Sequence, residues 1–273
     1  MAVHRLATYL VCAFAFAGFQ SQKPPHLLGL FPGKSIAESQ WTEVKWTTDG
    51  DKPFRVERDN LEGIFADGRP HPDLVSKLES ASQQMPRNQF KLFQWCYATY
   101  LMARNDISSR PSALLSKSLS AAKPPYSYEF LRMRFLVVCK VYYAADDYVV
   151  ALGERLAKAD PKDIAVLHEL SRNMLVSIPE ARKKAFAYAN RLRVIDPSRP
   201  EAYSDVAAVY YNVWMLSDAK DTESGHKVIY WLNEYLKREK RPVKADNVAA
   251  NKYIMNFVND RIVKEEKALP KKP

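Results

Sequence analysis

An all-α fold is predicted by three observations: glycine is scarce, apolar residues recur every three or four positions in blocks of helical length, and prolines close those blocks at an even spacing. Only eight glycines occur in 273 residues, below the usual share of about 7%, while the helix formers Leu, Ala, Lys and Arg recur throughout. With 47% hydrophobic and 26% charged residues, the chain has the apolar content for a substantial core, which argues against a disordered chain.

The first segment reads as an export signal. Met1 to Arg5 carries positive charge, the run from Leu6 to Phe19 is apolar, and Ala15-Phe16-Ala17 ends it with a small-x-small cleavage pattern. The competing reading is a membrane anchor, but the run has fourteen residues where a spanning helix needs about 20. Residues 1–17 are therefore expected to be removed, placing the mature chain in a periplasmic or extracellular compartment. Cys12 follows Val11, which fits a lipoprotein signal poorly, and the absence of an Asn-x-Ser/Thr acceptor favours a bacterial envelope. Export also decides how the formal charge of +10 is read. An exported chain rarely meets nucleic acid, and no nucleic-acid signature accompanies the charge, so acidic protein or a membrane surface is the partner class it favours.

Residues 18–88 are expected to be irregular, punctuated by Pro24-Pro25, Pro32-Gly33 and Pro70-His71-Pro72. Trp41 to Trp46 and Phe54 to Arg58 flank Asp49-Gly50 in the arrangement of a small β-hairpin. Pro72-Asp73 opens a helix to about Gln84, with Leu74, Val75 and Leu78 on one side.

From Gln89 onward the pattern becomes regular. Pro125, Pro161 and Pro197 stand 36 residues apart each time, and Pro242 follows after 45. Within this frame Ser198-Arg199-Pro200-Glu201 reads as a capping box at a helix start. Tyr203, Val206, Ala207 and Tyr210 follow it at helical spacing. The preceding block places Leu167, Leu170, Ser171 and Met174 on a first helix and Ala185 and Ala189 on a second, ending at Asp196-Pro197. Before it stand Phe135, Val138, Cys139 and Tyr142, with Ala151 opening a second helix closed by Asp160-Pro161. A weaker copy has Leu92, Trp95, Cys96, Thr99 and Ala113. The last copy carries a long insert, Ser217 to Gly225, and then Val228, Leu232 and Tyr235. Asp246 is expected to cap a terminal amphipathic helix through Val248, Ile254, Phe257, Val258 and Ile262.

The bulky, aliphatic, small and tyrosine order of these blocks resembles the first-helix pattern of the tetratricopeptide repeat family over about residues 89 to 242. The resemblance implies an α-solenoid of stacked helix-turn-helix units over residues 89–267, closed by a capping helix and followed by a tail, 268–273. A generic helical bundle packs by the same rules and is the alternative.

No motif carries chemistry. Gly29 to Gly33 with Lys34-Ser35 has three residues between its glycines where a phosphate-cradling loop needs four, and His168-Glu169 has Arg172 where a zinc helix needs its second histidine. Cys96 and Cys139 occupy small-residue packing positions and read as buried, inert thiols, bridged only if their Cα atoms lie within about 7 Å. No catalytic, metal or cofactor residue is assigned.

In such stacks the first helices line a concave groove that holds a peptide or a partner helix. Offsetting from the packing positions by helical geometry points Tyr97, Tyr100, Lys140, Tyr143, His168, Arg172, Tyr211 and Asn212 inward. That set is basic and aromatic, suited to a protein or peptide partner with acidic character. Padding of the stack is an equal reading for the tyrosines. A second reading makes residues 22–88 the working part and the repeats a scaffold, and an enzyme without a recognisable motif is the third.

Overall fold

A computed structural model describes residues 44–105, 122, 124–141, 147–174, 178–240 and 245–268. The described chain is all-α with one small sheet. In order it comprises strand β1 (Trp46–Thr47), helix α1 (Asp51–Ile64) with a 3-10 turn (Phe65–Asp67), α2 (Pro72–Gln84), α3 (Gln89–Asn105), strand β2 (Tyr126–Ser127), α4 (Tyr128–Val141), α5 (Asp147–Ala159), α6 (Ile164–Asn173), α7 (Pro179–Ile195), α8 (Pro200–Leu216), α9 (Thr222–Arg238) and α10 (Ala245–Ala268). Among the described residues no helix is long and apolar enough to cross a membrane. The apolar run of residues 6–19 and the Gly29 to Ser35 segment lie outside them.

Local chemistry sets the helix ends. The Asn88 side chain accepts from the amides of Phe90 and Lys91 at 3.0 and 3.1 Å and starts α3. Ser127 accepts from Phe130 at 3.0 Å and starts α4. Asp163 accepts from Ala165 and Val166 at 3.1 and 3.2 Å and starts α6, and Asp221 accepts from Ser224 at 3.1 Å and starts α9. In each case a side-chain oxygen satisfies amides that have no partner within the helix. Helices α2, α7 and α8 instead begin with proline, which lacks the amide that would go unpaired there. Helix α5 stops before Asp160-Pro161 and α7 before Asp196-Pro197, because the residue ahead of a proline leaves the helical region.

Two compact units emerge, dividing at 173/174. In the first, α3 packs against α2 and α4, α4 packs against α5 and α6, and α1 lies on both α3 and α4. Strands β1 and β2 pair in parallel, Trp46 opposite Tyr126 and Thr47 opposite Ser127. The core runs through Leu92, Phe93, Trp95, Cys96, Leu131, Phe135, Leu136, Leu152, Leu156, Leu167 and Leu170. Gly153 lets α5 approach closely: a Cβ there would sit 2.5 Å from Phe135 Cε2 and 2.7 Å from Leu170 Cδ2. In the second unit α8 packs against α7 and α9, and α9 against α10. Ala207, Trp214, Val228, Leu232, Val258 and Ile262 form its core.

Three local expectations are corrected. Residues 51–64 form a helix where an irregular region was expected, while the helix expected from Pro72 to about Gln84 is present. No hairpin turns at Asp49-Gly50: Gly50, at φ 82°, precedes α1, and Phe54 to Arg58 belong to that helix. Ser198 does not cap α8: Arg199 occupies the N-cap and makes no capping side-chain hydrogen bond, while the Ser198 amide and hydroxyl both donate to Asp196 Oδ1, at 3.1 and 2.6 Å. The serine thus belongs to the Asp196 turn that precedes the helix.

Candidate binding face on the first helical unit

One face of α3 and α4 is covered by a segment of the chain itself. Helix α1 begins after Gly50, carries Pro53 in its first turn where the missing amide costs nothing, and runs through a 3-10 turn to Gly68 at φ 74°. Phe54 meets Phe90 and Phe93 edge-on, with ring centroids 5.3 and 5.2 Å apart. Leu61 and Phe65, about two and three turns further along the same side, are buried.

Polar contacts flank these anchors. Gln94 on α3 donates to Glu57 at 2.8 Å, and the Tyr97 hydroxyl donates to Glu62 at 2.5 Å. On α4, Glu129 accepts from Arg58 at 2.7 Å, with Arg55 at 3.5 Å. Asp51 faces the start of α4 and is 1% exposed, yet neither of its carboxylate oxygens meets a donor at hydrogen-bonding geometry, nor does Glu129 Oε2. Burial raises both carboxyl groups above the usual range. The Glu129 backbone and Ser127 hydroxyl oppose that rise at Asp51, and Arg132 and Arg58 oppose it at Glu129.

Beneath α1 runs a relay across neighbouring helices. Arg132 of α4 grips Asp163 through two hydrogen bonds, Nε to Oδ2 at 2.5 Å and Nη2 to Oδ1 at 3.0 Å. Its Nη1 donates to the Tyr97 hydroxyl at 3.4 Å, and that hydroxyl donates its own hydrogen bond to Glu62. The bidentate fork matches a carboxylate, and Asp163 in turn holds the first amides of α6. Burial of the guanidinium opposes its charge, but Asp163 and Tyr97 more than offset this and keep Arg132 well above its ordinary value. Burial likewise pushes the Tyr97 phenol far up.

The expected groove residues fall into three groups. Tyr97 and Tyr100 are core residues, 0% and 1% exposed, stacked at 5.7 Å, so they offer a partner no surface while α1 is seated. Lys140 and Arg172 stand in the last turns of the neighbouring helices α4 and α6, with Lys140 and His168 partly buried and Arg172 exposed. Tyr143 lies outside the described residues. Tyr211 and Asn212 belong to the second unit, where Tyr211 is partly buried against Trp214, centroids 5.8 Å apart, and Asn212 is exposed. Glu62, Glu129, Arg132 and Asp163 were not legible as site residues. The one sequence signal for the covering helix was the 4, 3, 4 spacing of Phe54, Arg58, Leu61 and Phe65 between Gly50 and Gly68.

Cys96 and Cys139 are buried free thiols, raised well above the ordinary value by burial, the reverse of an activated nucleophile. Among the described residues no group of three or more His, Cys, Asp or Glu side chains is placed to hold a metal. No family model, curated protein or solved structure matches the chain.

Proposed function

We propose that this chain is an exported, non-catalytic protein-binding module whose helices stack in the manner of tetratricopeptide repeats and whose first helices receive a partner helix or extended peptide. One observation carries the reading: a helix, α1, already lies across α3 and α4, seated by aromatic, arginine and carboxylate contacts of the kind that recognise an amphipathic helix. The spacing of the relay supports the repeat arrangement. Arg132 and Asp163 are 31 residues apart, close to the 32 that separate the equivalent Phe135 and Leu167, so the starts of successive first helices touch, as a stack requires. Because Arg132 in the second turn of α4 meets Asp163 at the start of α6, the N-terminal ends of those helices lie side by side. Lys140 and Arg172 in their last turns then share the opposite end, where they would hold an acidic or C-terminal carboxylate group of the partner, with Tyr143 beside them.

Capture from an envelope fraction followed by titration calorimetry tests this reading. A charge-assisted contact is worth about 1.5 to 3 kcal/mol when desolvated, so Lys140→Ala with Arg172→Ala should weaken the captured partner at least tenfold, a loss of about 1.4 kcal/mol or more, with the melting temperature nearly unchanged. Unchanged affinity removes this pair from the binding face and with it the placement of the partner's carboxylate, and failure to capture any partner removes the protein-binding reading.

A further inference from the structure

We infer that α1 is a detachable occupant of the α3 and α4 face, and that this face fits an amphipathic helix bearing α1's own pattern: an aromatic residue, an arginine four positions on, a leucine three further and a glutamate next to it. The inference rests on the protein-binding reading and names the partner's chemistry and the contact that controls its access.

Helix α1 is thinly anchored. Of its fourteen residues only Asp51 and Leu61 are buried, Phe54 is partly buried against Phe90 and Phe93, and beyond the helix Phe65 is the next buried apolar side chain. Segments with few buried apolar side chains open most readily. Its docking also carries an electrostatic cost, since the Asp51 carboxylate is buried at the junction with Arg55 no nearer than 3.8 Å and no donor at full hydrogen-bonding geometry, and the Ser127 and Glu129 groups facing it only partly offset the burial. A helix with a neutral residue at the Asp51 position avoids part of that cost while keeping the Arg58 and Glu62 contacts.

What α1 covers is well built without it. Tyr97 stacks between Phe93 and Tyr100, centroids 5.5 and 5.7 Å apart, and Arg132 is fixed by Asp163. Helices α2 and α4 hold α3 from its other sides. Tyrosine and arginine set in a rigid surround are the residue types that dominate binding energy at helix-receiving faces. When α1 lifts, Tyr97 and Arg132 lose only the Glu62 partner and keep their places.

The test uses the full chain. Hydrogen exchange should show α1 amides exchanging at least tenfold faster than those in the middle of α3 and α4, and a labelled peptide of residues 49–68 should bind Phe54→Ala, Arg58→Ala chain at least tenfold tighter than wild type, because the tethered competitor is weakened. Exchange of α1 in step with α3 and α4 overturns the inference. So does a double variant that stays folded but leaves the peptide unbound, or one that loses the cooperative melting of the first unit. These outcomes are independent of the Lys140 and Arg172 titration. Absent peptide binding with a charge-dependent partner sinks only the role of α1, and peptide binding with a charge-insensitive partner sinks only the placement of the partner's carboxylate.

Discussion

Replacing Arg132 by methionine is expected to destabilise the first unit by about 3 kcal/mol, within the usual range of about 3 to 5 for removing one member of a buried ion pair. The side chains of Arg132 and Asp163 are 6% and 5% exposed, so water screens the interaction little. Methionine fills much of the arginine stem's volume, which leaves the lost charge as the dominant effect. Two features hold the cost towards the low end. Asp163 keeps the amides of Ala165 and Val166, and the helix terminus they belong to favours an anion by about 1 kcal/mol. Tyr97 also keeps Glu62 as acceptor. Urea unfolding followed by circular dichroism would measure the effect as a midpoint shift of about 1.5 M, for a slope near 2 kcal/mol/M. Asp163→Asn separately strips Arg132 of its counterion while retaining a capping oxygen. The double variant restores neutrality and should cost less than the sum of the two by about 1.5 kcal/mol or more. A cost for Arg132→Met below about 1 kcal/mol, or strict additivity, would refute the claim that the pair is coupled and dry.

Two further outcomes follow from the packing and from the buried acids. Gly153→Ala gains about 1 kcal/mol of helix propensity but drives a methyl group into the Phe135 ring and Leu170, an overpacking cost of about 1 to 3 kcal/mol. Calorimetry should therefore show a lower melting temperature, and a higher one would place α5 farther from α4. Asp51→Asn should raise stability at pH 7. The folded carboxyl is raised above its unfolded value, so its charge is a burden above the folded value that vanishes as pH falls through it. The variant and wild type should thus converge near about pH 4, where a carboxyl of ordinary value is itself half protonated, and a gain that persists unchanged there would place the cause elsewhere.

Much of the helical layout was readable because the chemistry that sets it is local. Pro72 and the Asp-Pro pairs at 160–161 and 196–197 act on their own residues and immediate neighbours, and the helix boundaries observed there follow from them. Cys96 and Cys139 were readable as buried because they sit among bulky apolar neighbours at helical spacing, and both are buried. The hairpin failed for the opposite reason. Asp-Gly suits a tight turn and a helix entry alike, and what decides between them is Tyr126, about 80 residues away, which pairs with Trp46. Helix α1 escaped notice because an apolar stripe of Phe54, Leu61 and Phe65 is too sparse to stand out, its remaining contacts being polar. Tyr97 stands on the α3 face that α1 covers, and periodicity carries no information about which segment of the chain lies over that face.

The relay explains why a polar path persists in so apolar a surround. Leu131, Phe135 and Leu136 on α4 would pack nearly as well against α3 and α6 after a shift of one helical turn, since apolar contact is non-directional. The fork of Arg132 would not. Moving it by about 5.4 Å along the axis takes both nitrogens out of reach of Asp163, strands a buried carboxylate, and removes the donor from the Tyr97 hydroxyl. Each of those losses is charged or fully desolvated, so each outweighs the small difference between alternative apolar packings. The network thereby selects one register of α3, α4 and α6. In that register Glu62 and Glu129 line up with Tyr97 and Arg58, so the residues that fix the helices also fix where a docked helix must place its own charges.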